Sequence, residues 1–239
     1  MLGTFHEVGL ATADIRASVE FYEGLGFTQA TTTDTWDHPY GVLTDGRVFL
    51  GLHQRTGPSP TLTFVCPGIA GHLGELERRG ISLTLCRTGD EVFNEIAFTD
   101  PFGQSVSVLE ARTYSPVSRP LSRTSLCGYF SEISLPAADF EAARAFWEPL
   151  GFVATPQDDE PYVHLPLTSD RLDISFHRPR LYDLPLLVFT DPDMPARITR
   201  LRELGVRVSP ELPRGLAAGA NALIEAPEGT SLLLLQEAS

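Results

Sequence analysis

The residues of this chain best suited to chemistry come in pairs. Glu7 and Glu132 stand at an offset of 125, each in an alternating, strand-like stretch that runs into a helix. A carboxylate turned into a concavity and cut off from water has its pKa raised unless it is partnered. That suits it as a general base, or as an anchor for a cationic ligand. The plainer alternative is a bond to an arginine or to backbone groups near a sheet edge. His53 and His177 end equivalent strands. In the second of these Leu172, Ile174 and Phe176 are apolar, which leaves Asp173, Ser175 and His177 on the opposite, pocket-side face. A ligand or acid/base role stands there beside the commoner arrangement, a strand-end imidazole bonded to a carbonyl. The segment TWDHPYG places Trp36, His38 and Tyr40 in a loop that either closes over a flat organic molecule or packs as ordinary loop.

These residues are positioned by a duplication. EVGLATADIRASVEFYEGLGF, from Glu7, lies over EISLPAADFEAARAFWEPLGF, from Glu132, without a gap, and LTDGRVFLGLH matches LTSDRLDISFH at an offset of 124. Each half reads as two βαβββ units. Asp14 is a helix N-cap and Gly26 a helix terminator, with an apolar stripe of Ile15, Val19, Tyr22 and Leu25 between them. Later stripes are Ile69, Leu73 and Leu76; Phe140, Ala143, Trp147 and Leu150; and Met194, Ile198, Leu201 and Leu204. The expected organisation is α+β. Residues 1–112 hold units 4–54 and 61–111, 113–125 form a Pro-, Ser- and Arg-rich connector, and 126–239 hold units 128–179 and 184–238. A lone βαβββ unit covers one sheet face with its helix and leaves the other bare. Units must therefore pair and curl their sheets around shared concave pockets, where a site belongs. Which units pair stays open.

Composition excludes other classes. With 42% hydrophobic and 21% charged residues the chain is too apolar to be disordered. A net charge of −13 disfavours nucleic-acid and anionic-membrane partners and favours a cationic ligand. No apolar run reaches the length of a membrane span, and the opening MLGTFHEVGL has no basic segment before a signal-type core, so the expected compartment is the cytoplasm. Cys66, Cys86 and Cys127 lack a paired C-x-x-C spacing and indicate neither a disulfide framework nor a zinc cluster. Acyl-transfer, phosphate-loop, zinc-protease and dinucleotide motifs are missing from the sequence.

The stretches VGLATADIRASVEFYEGLGF, LGELERRGI and DPFGQSVSVLE resemble the vicinal oxygen chelate superfamily, which includes glyoxalase I, extradiol dioxygenases and the fosfomycin- and bleomycin-resistance proteins. The resemblance implies two tandem glyoxalase-like domains. Where the family is metal-dependent, it implies a divalent ion held by a His seven residues before the capping Asp and by a Glu four residues after the turn glycine. Here those counts fall on Glu7, Thr61 and Ser107 in the first half, and on Glu132, Leu186 and Leu233 in the second. None is histidine, and His6 is one step off, on the helix side if the strand alternates. The expectation is therefore no cofactor, with a divalent metal unsupported by the ligand positions. The main reading is a metal-free binder of a small organic, cationic or aromatic ligand. Glu7 and Glu132 are its catalytic candidates, and Trp36, His38, Tyr40, His53, Thr61, Ser107 and His177 its ligand-binding ones. The alternatives are a lyase, isomerase or dioxygenase-type enzyme, metal-independent or with non-standard ligands such as a Glu with His53 or His177, and a scaffold whose concavities have filled in. Four units can supply both halves of a pocket, so a monomer and a homodimer are both compatible with the sequence.

Overall fold

The computed structural model describes residues 2–32, 36–110 and 125–237; of the proposed connector 113–125 only Ser125 lies within them. The first unit is β1 (Thr4–Ala11), α1 (Ile15–Gly24), β2 (Thr28–Ala30), β3 (Tyr40–Thr44) and β4 (Phe49–His53). The second is β5 (Thr61–Val65), a 3-10 turn (Ile69–His72) leading into α2 (Leu73–Arg78), β6 (Leu83–Arg87), β7 (Glu95–Thr99) and β8 (Ser105–Leu109). The third runs β9 (Tyr129–Pro136), α3 (Phe140–Trp147), β10 (Val153–Ala154), β11 (His164–Thr168) and β12 (Ile174–His177). The fourth is β13 (Leu186–Asp191), α4 (Met194–Glu203), β14 (Ala222–Glu225) and β15 (Ser231–Gln236).

Local chemistry sets these boundaries. Asp14, with extended backbone, accepts the N–H groups of Arg16 and Ala17, and Asp139 does the same for Glu141 and Ala142. Such caps are worth about 1 kcal/mol each. Helix α1 ends where Gly26 takes φ +88°, which lets the Phe27 N–H turn back to the Tyr22 carbonyl at 3.0 Å.

The strands form two curled mixed sheets, ordered β2-β3-β4-β1-β5-β8-β7-β6 and β10-β11-β12-β9-β13-β15-β14. Unit one therefore pairs with unit two, and three with four. At each centre the first strands of the paired units run antiparallel, with Glu7 opposite Thr63 and Glu132 opposite Val188. The helices lie between the sheets, and one hydrophobic cluster joins both halves. Helix α1 bears on the fourth unit, its Tyr22 hydroxyl donating to Glu228 Oε1 at 2.7 Å. Helix α3 bears on the second, Trp147 Nε1 donating to Asp100 Oδ2 at 3.2 Å. Tyr22 and Trp147 are equivalent residues of the repeat, and both are fully buried. The concave faces are the ones turned away from this shared core.

Three details depart from the sequence expectation. The fourth unit lacks a full second strand, the one directly after its helix, which is reduced to a bridge between Val208 and Ile224. The SPELPRG stretch that follows carries two prolines without ladder N–H groups. Leu204 caps α4 and is 49% exposed, so it does not belong to the buried stripe. The β1 ladder slips between Phe5 and Glu7, and β9 slips at the same place in the repeat, between Phe130 and Glu132. A bulge therefore sits at His6, and the alternation invoked for that residue does not run through it.

Candidate active site

In the first half the candidates converge. Glu7 Oε1 lies 3.1 Å from His53 Nε2, and the Tyr40 hydroxyl donates to Glu7 Oε2 at 2.5 Å. His53 Nδ1 lies 2.9 Å from His38 Nε2, and His38 Nδ1 lies 2.8 Å from Asp37 Oδ1. Strand register explains the inner part, because Tyr40 on β3 pairs directly with His53 on β4, and β4 runs parallel beside β1. The Trp36 ring stands edge-on to His53 at 4.9 Å, with Phe93 6.5 Å from it and the Arg55 guanidinium 5.8 Å over its face. The indole N–H of Trp36 is buried and meets no acceptor among the described residues. The remainder of the concave face is hydroxyl-lined: Thr61 opposite Ser105 and Thr63 opposite Ser107, with the Ser107 hydroxyl donating to Glu95 at 3.2 Å.

One glycine makes this geometry fit. Gly9 and Gly51 are register partners on β1 and β4, and a Cβ placed on Gly51 would overlap the Glu7 carboxyl group. Neither glycine stood among the candidates from the sequence, although the repeat carried the signal: EVGL and LGLH in one copy stand against EISL and ISFH in the other. Asp37 was missed as well.

The second half diverges at those same places. Ser134 and Ser175 replace the glycines and are again register partners. The Ser175 hydroxyl donates to Glu132 Oε1 at 2.6 Å, and Ser134 Oγ lies 2.8 Å from His177 Nδ1, so serines separate the carboxylate from the imidazole. His177 Nε2 donates to the Tyr182 carbonyl at 2.9 Å, the strand-end arrangement noted above. Burial pushes His177 down to about 4, and burial raises the Glu132 carboxyl. Tyr162 and His164 occupy the places of His38 and Tyr40 in reversed order, with burial holding the Tyr162 phenol well above its usual range. Leu186, Val188, Leu223, Leu233 and Leu235 line the concavity, and Leu181, Tyr182, Leu212 and Leu216 pack into it.

No protein-family model and no curated protein matches the sequence. Solved structures do match. The chain superposes on catechol 2,3-dioxygenase with a TM-score of 0.60 at 14% identity, covering 96% of this chain and 86% of that one. For the 2,3-dioxygenase LapB from Pseudomonas sp. KL28 the values are 0.62 and 13%, over 98% and 92%. For a variant of Homoprotocatechuate 2,3-Dioxygenase from B. fuscum in complex with HPCA they are 0.63 and 16%, over 99% and 72%. The fold is that of the extradiol dioxygenases. Identities this low carry the fold alone.

The side chains present do not fit that fold's metal. Thr61 and Ser107 offer hydroxyls where a His and a Glu would be needed, and Leu186 and Leu233 offer no donor atom. Among the described residues no group of three His, Cys, Asp or Glu side chains is placed to hold an ion. The non-standard sets fare no better. Glu7 and His53 face one point, but they are two donors, and no third His, Cys, Asp or Glu side chain is grouped with them for an ion among the described residues. Glu132 and His177 are each occupied by a serine.

Proposed function

We propose that the chain is an enzyme of the lyase or isomerase kind that moves protons on a small, flat, oxygen-bearing organic molecule without a metal, in the first concavity only. The observation that carries this reading is the pairing of Glu7 with His53, side chains 1% and 4% exposed, with the Glu7 carboxyl seated where Gly51 has no side chain. A buried carboxylate beside an imidazole can take a proton from an acidic C–H or O–H and hand it on. Tyr40, bonded to the other carboxyl oxygen, fixes the orientation of Glu7. The rings of Trp36 and Phe93 flank the ligand while His38 and Tyr40 keep their places, and the indole N–H of Trp36, without an acceptor among the described residues, serves a ligand oxygen. The aromatic substrates named for the fold's neighbours agree with such a wall. Thr61, Thr63 and Ser107 supply further polar contacts. The second half is structural in this reading, its concavity filled by the chain itself. Glu132 and His177 then serve packing.

The test uses 2-hydroxyacetophenone, an aromatic α-hydroxyketone with an exchangeable C–H. Untagged, EDTA-treated protein with no metal by elemental analysis should speed α-proton exchange into D2O, followed by NMR. Exchange that vanishes on EDTA treatment and returns with Fe(II) would overturn the metal-free reading. A second reading, a carrier that binds without turnover, draws on the 55% exposure of Phe93 beside Trp36 and on the net charge of −13. Catechol or 2-hydroxyacetophenone binding with no exchange would favour it.

A further inference from the structure

We propose that Asp37, His38 and His53 form a proton path between solvent and Glu7 that holds a proton in reserve. The inference deepens the reading above and rests on Glu7 acting as the acid/base group. Side-chain exposure falls along the path from 97% at Asp37 to 12% at His38, 4% at His53 and 1% at Glu7. The links between them are 2.8, 2.9 and 3.1 Å, all within hydrogen-bond distance.

Each link needs a proton, and this fixes what the chain must hold. With Asp37 ionised, His38 Nδ1–H donates to it. A second proton must lie between His38 Nε2 and His53 Nδ1, since two bare lone pairs would otherwise face each other. A third lies between His53 Nε2 and Glu7. One way to place them leaves Glu7 protonated and both imidazoles neutral. Another leaves Glu7 ionised with one imidazole positively charged. The two placements carry the same charge and the same hydrogen bonds, so a proton shifts between carboxyl and imidazole without breaking a link. When Glu7 takes a proton from a ligand, the ligand's C–H or O–H bond breaks and a Glu7 O–H forms. The chain then carries one proton too many, which leaves at Asp37. When Glu7 returns a proton, the chain refills from the same end. The second copy has no such outlet: its row Glu132, Ser175, Ser134 and His177 ends on the Tyr182 carbonyl. His38 is thus a positioning residue that acts through His53.

Two measurements on the full chain test this. In 15N-labelled protein, the reserve proton predicts a trans-hydrogen-bond 15N–15N coupling between His38 Nε2 and His53 Nδ1. Absence of that coupling, with ring shifts of two independent neutral imidazoles, overturns the path whether or not the protein turns anything over. In the exchange assay His38→Gln should slow turnover about 10- to 100-fold at low buffer with KM unchanged, and added imidazole should restore it. An unchanged rate, or a loss that imidazole does not repair, also overturns the path. Glu7→Gln separates the two ideas, because it should abolish exchange even if the path is wrong.

Discussion

Gly51 and Ser175 occupy the same place in the two copies, one beside Glu7 and the other beside Glu132, and a single hydroxymethyl group decides where each carboxylate goes. Without a side chain at 51, Glu7 fills the space and meets His53; with Ser175 present, Glu132 is bonded 2.6 Å away and kept from His177. Gly51→Ser should therefore turn the first site into a copy of the second. The overlapping atoms are the far end of a flexible side chain, so the fold should adjust with Tm changed by only a few degrees. The exchange rate should fall at least tenfold and the His53 ring 15N shifts should move, as read by NMR. Unchanged shifts would contradict this account of the glycine. As candidates only, Glu7, His53, Trp36, His38 and Tyr40 were legible, because residue types in a duplicated frame narrow the chemistry, although Tyr40 stands on β3 rather than in the loop expected for it. Their contact was not, because nothing in the spacing shows that a loop residue, His38, reaches the far nitrogen of His53.

At the scale of the element, β9 and β12 carry the second copy's polar row beside the apolar face of β13, and its stability should depend on pH. His177 is held at about 4, below the ~6.5 of an exposed histidine, so between these values the unfolded chain binds a proton that the native one does not. The stability from its burial is present above about 6.5 and is lost as pH falls toward 4, by about 3 kcal/mol at most. Glu132, raised by burial, works in the opposite sense: it disfavours the fold at neutral pH and is relieved by acid. Denaturant unfolding of His177→Gln between pH 6.5 and 4 should show a shallower decline than the parent chain, and an equal slope would contradict the assignment. Strand and helix positions were mostly legible, because Asp14, Asp139 and Gly26 act through local chemistry that the sequence displays. The bulges at His6 and Ser131 were not, since a bulge is set by partner-strand register rather than by the residue that bulges. The missing strand of the fourth unit was written in SPELPRG but masked by the strength of the repeat.

Across the whole molecule the duplication made the architecture readable, while the meeting of the halves was not. Tyr22 on Glu228 joins units one and four and Trp147 on Asp100 joins units two and three, and no periodicity reports such a contact. Among the described residues no helix is long and apolar enough to cross a membrane. Back-to-back packing keeps the two concave faces apart, and they differ: one carries hydroxyls, glycines and a carboxylate–imidazole pair, the other is lined by leucines. The most direct test of that division is the α-proton exchange of 2-hydroxyacetophenone by metal-free Glu7→Gln and Glu132→Gln proteins assayed side by side. Glu7→Gln should abolish exchange while Glu132→Gln stays within about twofold of the parent chain, less than a tenfold step of 1.4 kcal/mol. Loss of activity in Glu132→Gln with retention in Glu7→Gln would place the chemistry in the wrong half and contradict the account.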